Sequence, residues 1–203
     1  MSAFRQWGDG TGGHGLYTTL SDAMSGATPI TAYSAGWAGF AVRNGDVLAA
    51  GSWAGNELGN AQSNTPTAMV PVTVDGLHDA VSVAAMNRVS GACAVRANGA
   101  VVCWGDGHIA AAERGGFTDA VAIIPLTFDD GWVLRSTGDL AEWQGASQIA
   151  VPGSFHLPIV KLKGNALAYN FGPQETFAIE AGGEVTAIAK GLLPHRVTGF
   201  EGP

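Results

Sequence analysis

Four stretches of this chain alternate apolar with small or polar residues, turn at a glycine, and then alternate again: 40–51, 93–105, 132–144 and 177–189. Period-2 alternation on both sides of a glycine-containing tip predicts a two-stranded hairpin. The tips fall at Gly45, Gly99, Gly138 and Gly183. A further strand is expected ahead of each hairpin, at 30–33, 81–84, 121–124 and 160–163. Alternation then puts Val81 and Val83 on one face, and Val121 and Ile123 likewise. The phrases Asp79-Ala-Val-Ser-Val and Asp119-Ala-Val-Ala-Ile are nearly the same text. Self-similarity at a period of about 40–50 residues predicts stacked repeat units, each of about four strands. Helical spacing is confined to Leu16, Leu20 and Met24, which predict one short helix inside a loop.

The repeat also organises the ends. Phe4-Arg-Gln-Trp7-Gly8 matches the closing strands Val102-Cys-Trp104-Gly105 and Ala141-Glu-Trp143, and Pro194-His-Arg-Val197 echoes Pro71-Val-Thr-Val74. The reading is one domain over 1–203, with a partial unit at 1–15 and units at about 27–78, 79–118, 119–157 and 158–203. Such an array is either a segment of a longer one or a ring whose ends meet. The expected fold is all-β, a β-propeller or propeller segment built from about four units of antiparallel strands.

The second unit carries a family resemblance. Val81-Ser-Val-Ala-Ala85, Cys93-Ala-Val95, Asn98-Gly99 and Val101-Val-Cys-Trp104-Gly105 together resemble the repeat of the regulator of chromosome condensation family. Gly51-Ser-Trp-Ala-Gly-Asn-Glu-Leu58-Gly59 looks like that family's loop after the closing strand, and Trp7-Gly-Asp-Gly-Thr-Gly-Gly12 is a looser echo. The copies are degenerate: Ala50 and Ile188 stand where the closing tryptophan is expected, and the histidine that usually opens the repeat's second strand is missing from all four. The resemblance implies a propeller, a fold that in this family usually has seven blades. The family's best-known activity, nucleotide exchange on a small GTPase while bound to chromatin, is not carried over, because the surface residues it depends on are not identifiable here. Other relatives act as protein-binding modules.

Charge narrows the partners. The chain carries 17 acidic against 10 basic residues, a formal net charge of −7, with no lysine or arginine cluster. Nucleic-acid binders neutralise phosphates with basic patches, so nucleic acid is excluded as a partner, as is a polybasic membrane contact. No stretch has the roughly 18 apolar residues of a membrane span, and residues 1–5 lack the apolar core of a signal peptide, which leaves the compartment open. Cys93 and Cys103 flank one hairpin and could face each other across it; two small buried thiols are the favoured reading.

Catalytic and cofactor signatures are lacking. None of the five histidines has a second His or a Cys at ligand spacing, so no metal is expected. Gly8-Asp-Gly10-Thr-Gly12-Gly13 has no P-loop lysine after it and no βαβ setting, so no phosphate cofactor is expected either. Asp129-Asp130 reads as the solvated start of a strand, since neighbouring strand residues point to opposite faces. Trp7, Trp104 and Trp143 share a core position, as does Trp132 with Phe40, Cys93 and Phe177.

What remains is a loop surface. Trp37 and Trp53 fall outside the core pattern and are candidate anchors, because tryptophan is enriched at binding hot spots. Asn56, Asp9, His14, Asp106 and His108 complete the candidate set, the last four in matching loops after a Trp-Gly strand. The expected function is a non-enzymatic interaction module presenting propeller-face loops to a protein partner, alone, as a homo-oligomer or as part of a longer chain. A carbohydrate-binding propeller and an architectural segment of a larger bacterial surface or secreted protein are the alternatives.

Overall fold

The structure, a computed structural model, describes residues 30–31, 38–52, 56–60, 67–86, 91–151, 159–164, 176–188 and 194–197. Every regular element among them is a strand. The expected helix over Leu16–Met24 and the closing strand at Phe4–Gly8 lie outside the described residues.

Among the described residues, sixteen strands form four antiparallel sheets of four, each in simple chain order. The first sheet holds β1 (Ile30–Thr31), β2 (Ala38–Arg43), β3 (Asp46–Ser52) and β4 (Thr67–Thr73). The second holds β5 (Ala80–Ala85), β6 (Gly91–Arg96), β7 (Val101–Gly105) and β8 (His108–Arg114). The third holds β9 (Ala120–Thr127), β10 (Asp130–Arg135), β11 (Leu140–Gln144) and β12 (Ser147–Ala150). The fourth holds β13 (Ile159–Gly164), β14 (Thr176–Glu180), β15 (Val185–Ile188) and β16 (His195–Arg196).

The four predicted hairpins are the central pairs of these sheets, and two kinds of turn make them. Asn44 and Gly45 both have positive φ, 55° and 90°, between the paired Arg43 and Asp46. That is the two-residue turn whose twist matches the strands. The other three tips are longer. Gly99, Gly138 and Gly183 each donate N–H to the carbonyl three residues back, at φ 78°, 87° and 85°. A turn closed by a left-handed residue of this kind calls for glycine.

The same tips tie one sheet to the next. The N–H of Ala80 donates to the carbonyl of Gly45 (2.9 Å), that of Ala120 to Gly99 (3.1 Å), and that of Ile159 to Gly138 (3.0 Å). Each sheet therefore begins on the hairpin tip of its predecessor. The first strands of successive sheets touch along the array, β1 with β5, β5 with β9 and β9 with β13.

The core sits between the sheets in three layers. Phe40, Val42, Val47 and Ala49 of the first sheet pack on Ala92, Ala94, Val102 and Trp104 of the second. Cys93, Val95, Val101 and Cys103 of the second pack on Val133, Ala141 and Trp143 of the third. Trp132, Leu134 and Leu140 of the third pack on Ala178 and Ile188 of the fourth. The second and third hairpins thus bury both faces, which is why their strands are mostly apolar at consecutive positions.

Three sequence expectations need correction. Val81 and Val83 do not share a face: Val81 is 53% exposed and Val83 2%. Ala80 pairs with Arg96 and Ser82 with Val95, so Val81 is a bulge residue that consumes one position and flips the pleat. Val121 repeats this between Ala120 and Ala122, exposed at 49% while Ile123 is buried. Val160 is bulged in the same way between Ile159 and Lys161. Cys93 and Cys103 are not free thiols but a disulfide, because they sit directly opposite each other in the β6–β7 register. Asp129 is solvated, but Asp130 is buried, since it starts β10 within the ladder, paired with Gln144 and Thr127.

Candidate functional site

A cleft of about 330 Å³ opens at the seam between the first and second sheets. Its floor is apolar, from Leu77, Val102 and Ala111, and its rim carries Asp75, Arg96 and Glu113. Leu77 and Asp75 come from the connection between β4 and β5. This segment is held down where the N–H of Val74 donates to Val47 and that of Asp75 donates to Gly59, both at 2.9 Å. Arg96 ends β6, and Glu113 lies opposite Val102 on β8.

Arg96 is fixed rather than free. Its Nε donates to Asp79 Oδ1 at 2.8 Å. Hydrogen bonding and charge from Asp79, and then the charge of Glu113, raise the guanidinium's pKa above its ordinary value, so it stays cationic at any accessible pH. Asp79 thus pairs with the cation behind the cleft, while Asp75 and Glu113 share its rim. The cleft is net negative over an apolar floor, suited to a cationic group on an apolar stem.

Comparison with the next seam separates scaffold from site. Arg135 there donates its Nε to Asp119 at 2.9 Å, repeating the Arg96–Asp79 pair. Gly115 and Gly116 precede Phe117 as Asp75 and Gly76 precede Leu77, and Ala150 sits opposite Ala141 as Glu113 sits opposite Val102. The Arg–Asp pair is therefore a feature of the repeat. Asp75 and Glu113 are peculiar to the first seam.

A second cluster holds two of the expected residues. Asp106 (φ 52°) and Gly107 (φ 84°) form a two-residue turn between the paired Gly105 and His108. The His108 ring stacks on Phe128 of the next sheet, centroids 3.5 Å apart and 7° from parallel. The Arg114 guanidinium lies 3.7 Å from the same ring centroid. Two groups this close cannot share one face, so Phe128 is sandwiched between them, and it is 1% exposed. Arg114 also donates to the Phe128 carbonyl (3.2 Å) and lies 3.5 Å from Asp129. Burial pushes its pKa down and Asp129 opposes this. His108 Nδ1 lies 3.2 Å from the carbonyl of Gly105. Its ring thus lies over the second seam, itself exposed, with Asp106 and Gly107 exposed at the tip.

Asn56 stands elsewhere. It has φ 60°, and its carbonyl accepts the N–H of Gly59 at 3.1 Å. It forms the corner of a turn that brings Glu57 and Leu58 into the first seam, both buried. Asp9, His14, Trp37 and Trp53 lie outside the described residues. Among the described residues no three of His, Cys, Asp and Glu gather as metal ligands. Sequence reading missed Asp75, Arg96 and Glu113. The signal for Arg96 lay in the repeat, since Arg96 and Arg135 follow the Asp of an Asp-Ala-Val strand by 17 and 16 residues; the two acids are visible only as differences between units.

No protein-family model matches the chain, and no curated protein sequence matches it. Among solved structures, its fold is similar to that of human WBSCR16, with a TM-score of 0.61 at 14% identity, covering 85% of this chain and 53% of that one. The chain spans about half the length of that protein. It also matches in part PorZ, an essential surface component of the type-IX secretion system of Porphyromonas gingivalis. That match has a TM-score of 0.37 at 15% identity, covering 84% of this chain and 28% of that one. At these identities the likeness to WBSCR16 concerns the fold alone, and the likeness to PorZ is too partial to carry an argument.

Proposed function

We propose that the four sheets are blades of a propeller of the regulator of chromosome condensation kind, and that the chain is a non-enzymatic module that binds a protein partner. Support for the blades comes from the four-stranded meanders, the first strands touching along the array, and the repeated tip-to-strand hydrogen bond. The binding site is the first-seam cleft, and the partner group it takes is a lysine or arginine side chain. One observation carries this reading: Asp75 and Glu113 add carboxylates to a seam whose successor does without them. The repeat needs neither acid for its own packing, so their charge serves something outside it. A disulfide buried in the second seam fits a chain that works in an oxidising compartment.

The test is a peptide array scanning lysine and arginine through varied apolar contexts, followed by calorimetry on the strongest binder. Binding that is lost in the Asp75→Asn/Glu113→Gln double variant, and weakened by salt, supports the reading. Binding that the double variant retains, or an array without binders, sinks it.

A further inference from the structure

The hairpin of each sheet turns one quartet toward the next sheet. In the first it is Phe40, Val42, Val47 and Ala49; in the second Cys93, Val95, Val101 and Cys103; in the third Trp132, Leu134, Leu140 and Glu142. All twelve are buried, because a following sheet covers them. In the fourth sheet the corresponding quartet is Phe177, Ile179, Val185 and Ala187, paired in the same register. Here Phe177, Ile179 and Val185 are only half-buried. The opposite face of this sheet is closed, with Ala178 and Ile188 packed on the third.

The hairpin tip gives independent support. A Cβ added at Gly45 would meet the His78 carbonyl oxygen at 2.3 Å, and one at Gly99 would meet Asp119 N at 2.5 Å. At Gly183 it would meet nothing within 4 Å. The fourth tip has the geometry of the others without a neighbour seated against it.

We propose that this face binds the same face of a second copy of the chain, about a two-fold axis. Three seams inside the molecule establish that such a quartet is covered by another unit of the same repeat. The fourth face offers the same quartet; inside the molecule a quartet meets the opposite face of the next hairpin, and here it meets another quartet. The first sheet's outer face is not available to receive it, since Ala41 (0%), Leu48 (4%) and Ala50 (1%) are already buried. Among the described sheet faces that leaves the fourth, which must pair with itself in an isologous contact. Charge beside the patch is neutralised locally, with Glu184 and Arg196 2.7 Å apart.

Sedimentation over a wide range of protein concentration tests this. The expected result is a dimer of the 20.7 kDa chain. Ile179→Lys should weaken it about tenfold or more, as loss of a central apolar anchor does. Val121→Lys, which alters an exposed valine on another sheet, should leave it unchanged. Urea unfolding reports whether the variants fold. Hydrogen exchange on the unaltered protein needs no variant: the amides of 176–187 should gain protection as concentration rises. A monomer at every concentration overturns the proposal and leaves the face to some other covering unit. So does a dimer that a folded Ile179→Lys variant retains, or one whose added protection falls outside 176–187. None of these outcomes touches the first-seam cleft, so the two readings fail separately.

Discussion

The indole N–H of Trp104 donates to the carbonyl of Glu57, 2.8 Å away across the first seam. The bond joins the closing strand of one sheet to a loop of its predecessor, and both residues are fully buried. Phe40 meets the same indole edge-on, with centroids 5.7 Å apart. Trp143 holds the corresponding position in the third sheet and is equally buried, yet its Nε1 has no hydrogen-bond partner.

This contrast predicts different outcomes for the same substitution. Trp104→Phe removes a hydrogen bond and strands a buried carbonyl, which costs about 1–3 kcal/mol beyond the lost ring volume. Trp143→Phe removes an N–H that is already unsatisfied, so only the packing loss remains. Urea unfolding should show Trp104→Phe as the costlier change. Equal losses would mean that the bond contributes nothing.

The seams also explain what the sequence could disclose. Hairpins were legible because alternation and a glycine tip are local, and every one of the four tip glycines has positive φ. The equivalence of Ala50, Trp104, Trp143 and Ile188 was legible too, and the registers align them opposite Gly39, Ala92, Gly131 and Thr176. The disulfide was not, because composition favours buried thiols and only the register sets Cys93 against Cys103. The Asp75–Arg96–Glu113 cleft arises between units, where no single repeat contains it. The stacking of His108 on Phe128 likewise joins residues of two sheets.

The tip glycines should differ in their tolerance of alanine. All sit near φ 80–90°, which alone costs an L-residue about 1–2 kcal/mol. At Gly45 and Gly99 the added methyl also drives into the backbone of the connection just ahead of the following sheet. Gly99→Ala should therefore cost about 3 kcal/mol or more, and Gly183→Ala only the backbone share. Unfolding midpoints in dilute protein measure both.

Reduction should loosen the middle of the array. The Cys93–Cys103 bond closes a short loop, with a sequence separation of 10, and both residues are buried in the second seam. Loop-closure entropy for a loop of this size amounts to about 2–3 kcal/mol. A Cys93→Ala/Cys103→Ala variant should lose about that much in urea, and reductant should have no further effect on it. Alkylation before and after reduction, read by intact mass, reports the state of the pair directly.

The bulges make the last prediction, because they reverse what alternation implies. By strict alternation Val81 and Val83 are equals, and a charge at either would be equally harmful. In the structure Val81 stands outside the ladder between Ala80 and Ser82 and projects into solvent, whereas Val83 is sealed in the first seam. A lysine at 81 keeps its ammonium hydrated and should change stability by no more than about 0.5 kcal/mol. A lysine at 83 must either bury its charge or open the seam, at about 3 kcal/mol or more. Val121→Lys and Ile123→Lys repeat the experiment one sheet later, with the same exposed and buried pair. If the two lysines of either pair destabilise alike, the bulge is absent and the first strands run in unbroken alternation. A large gap in both pairs would establish the bulge as a shared feature of the second and third sheets, one that turns Val81 and Val121 outward while keeping Val83 and Ile123 in the core.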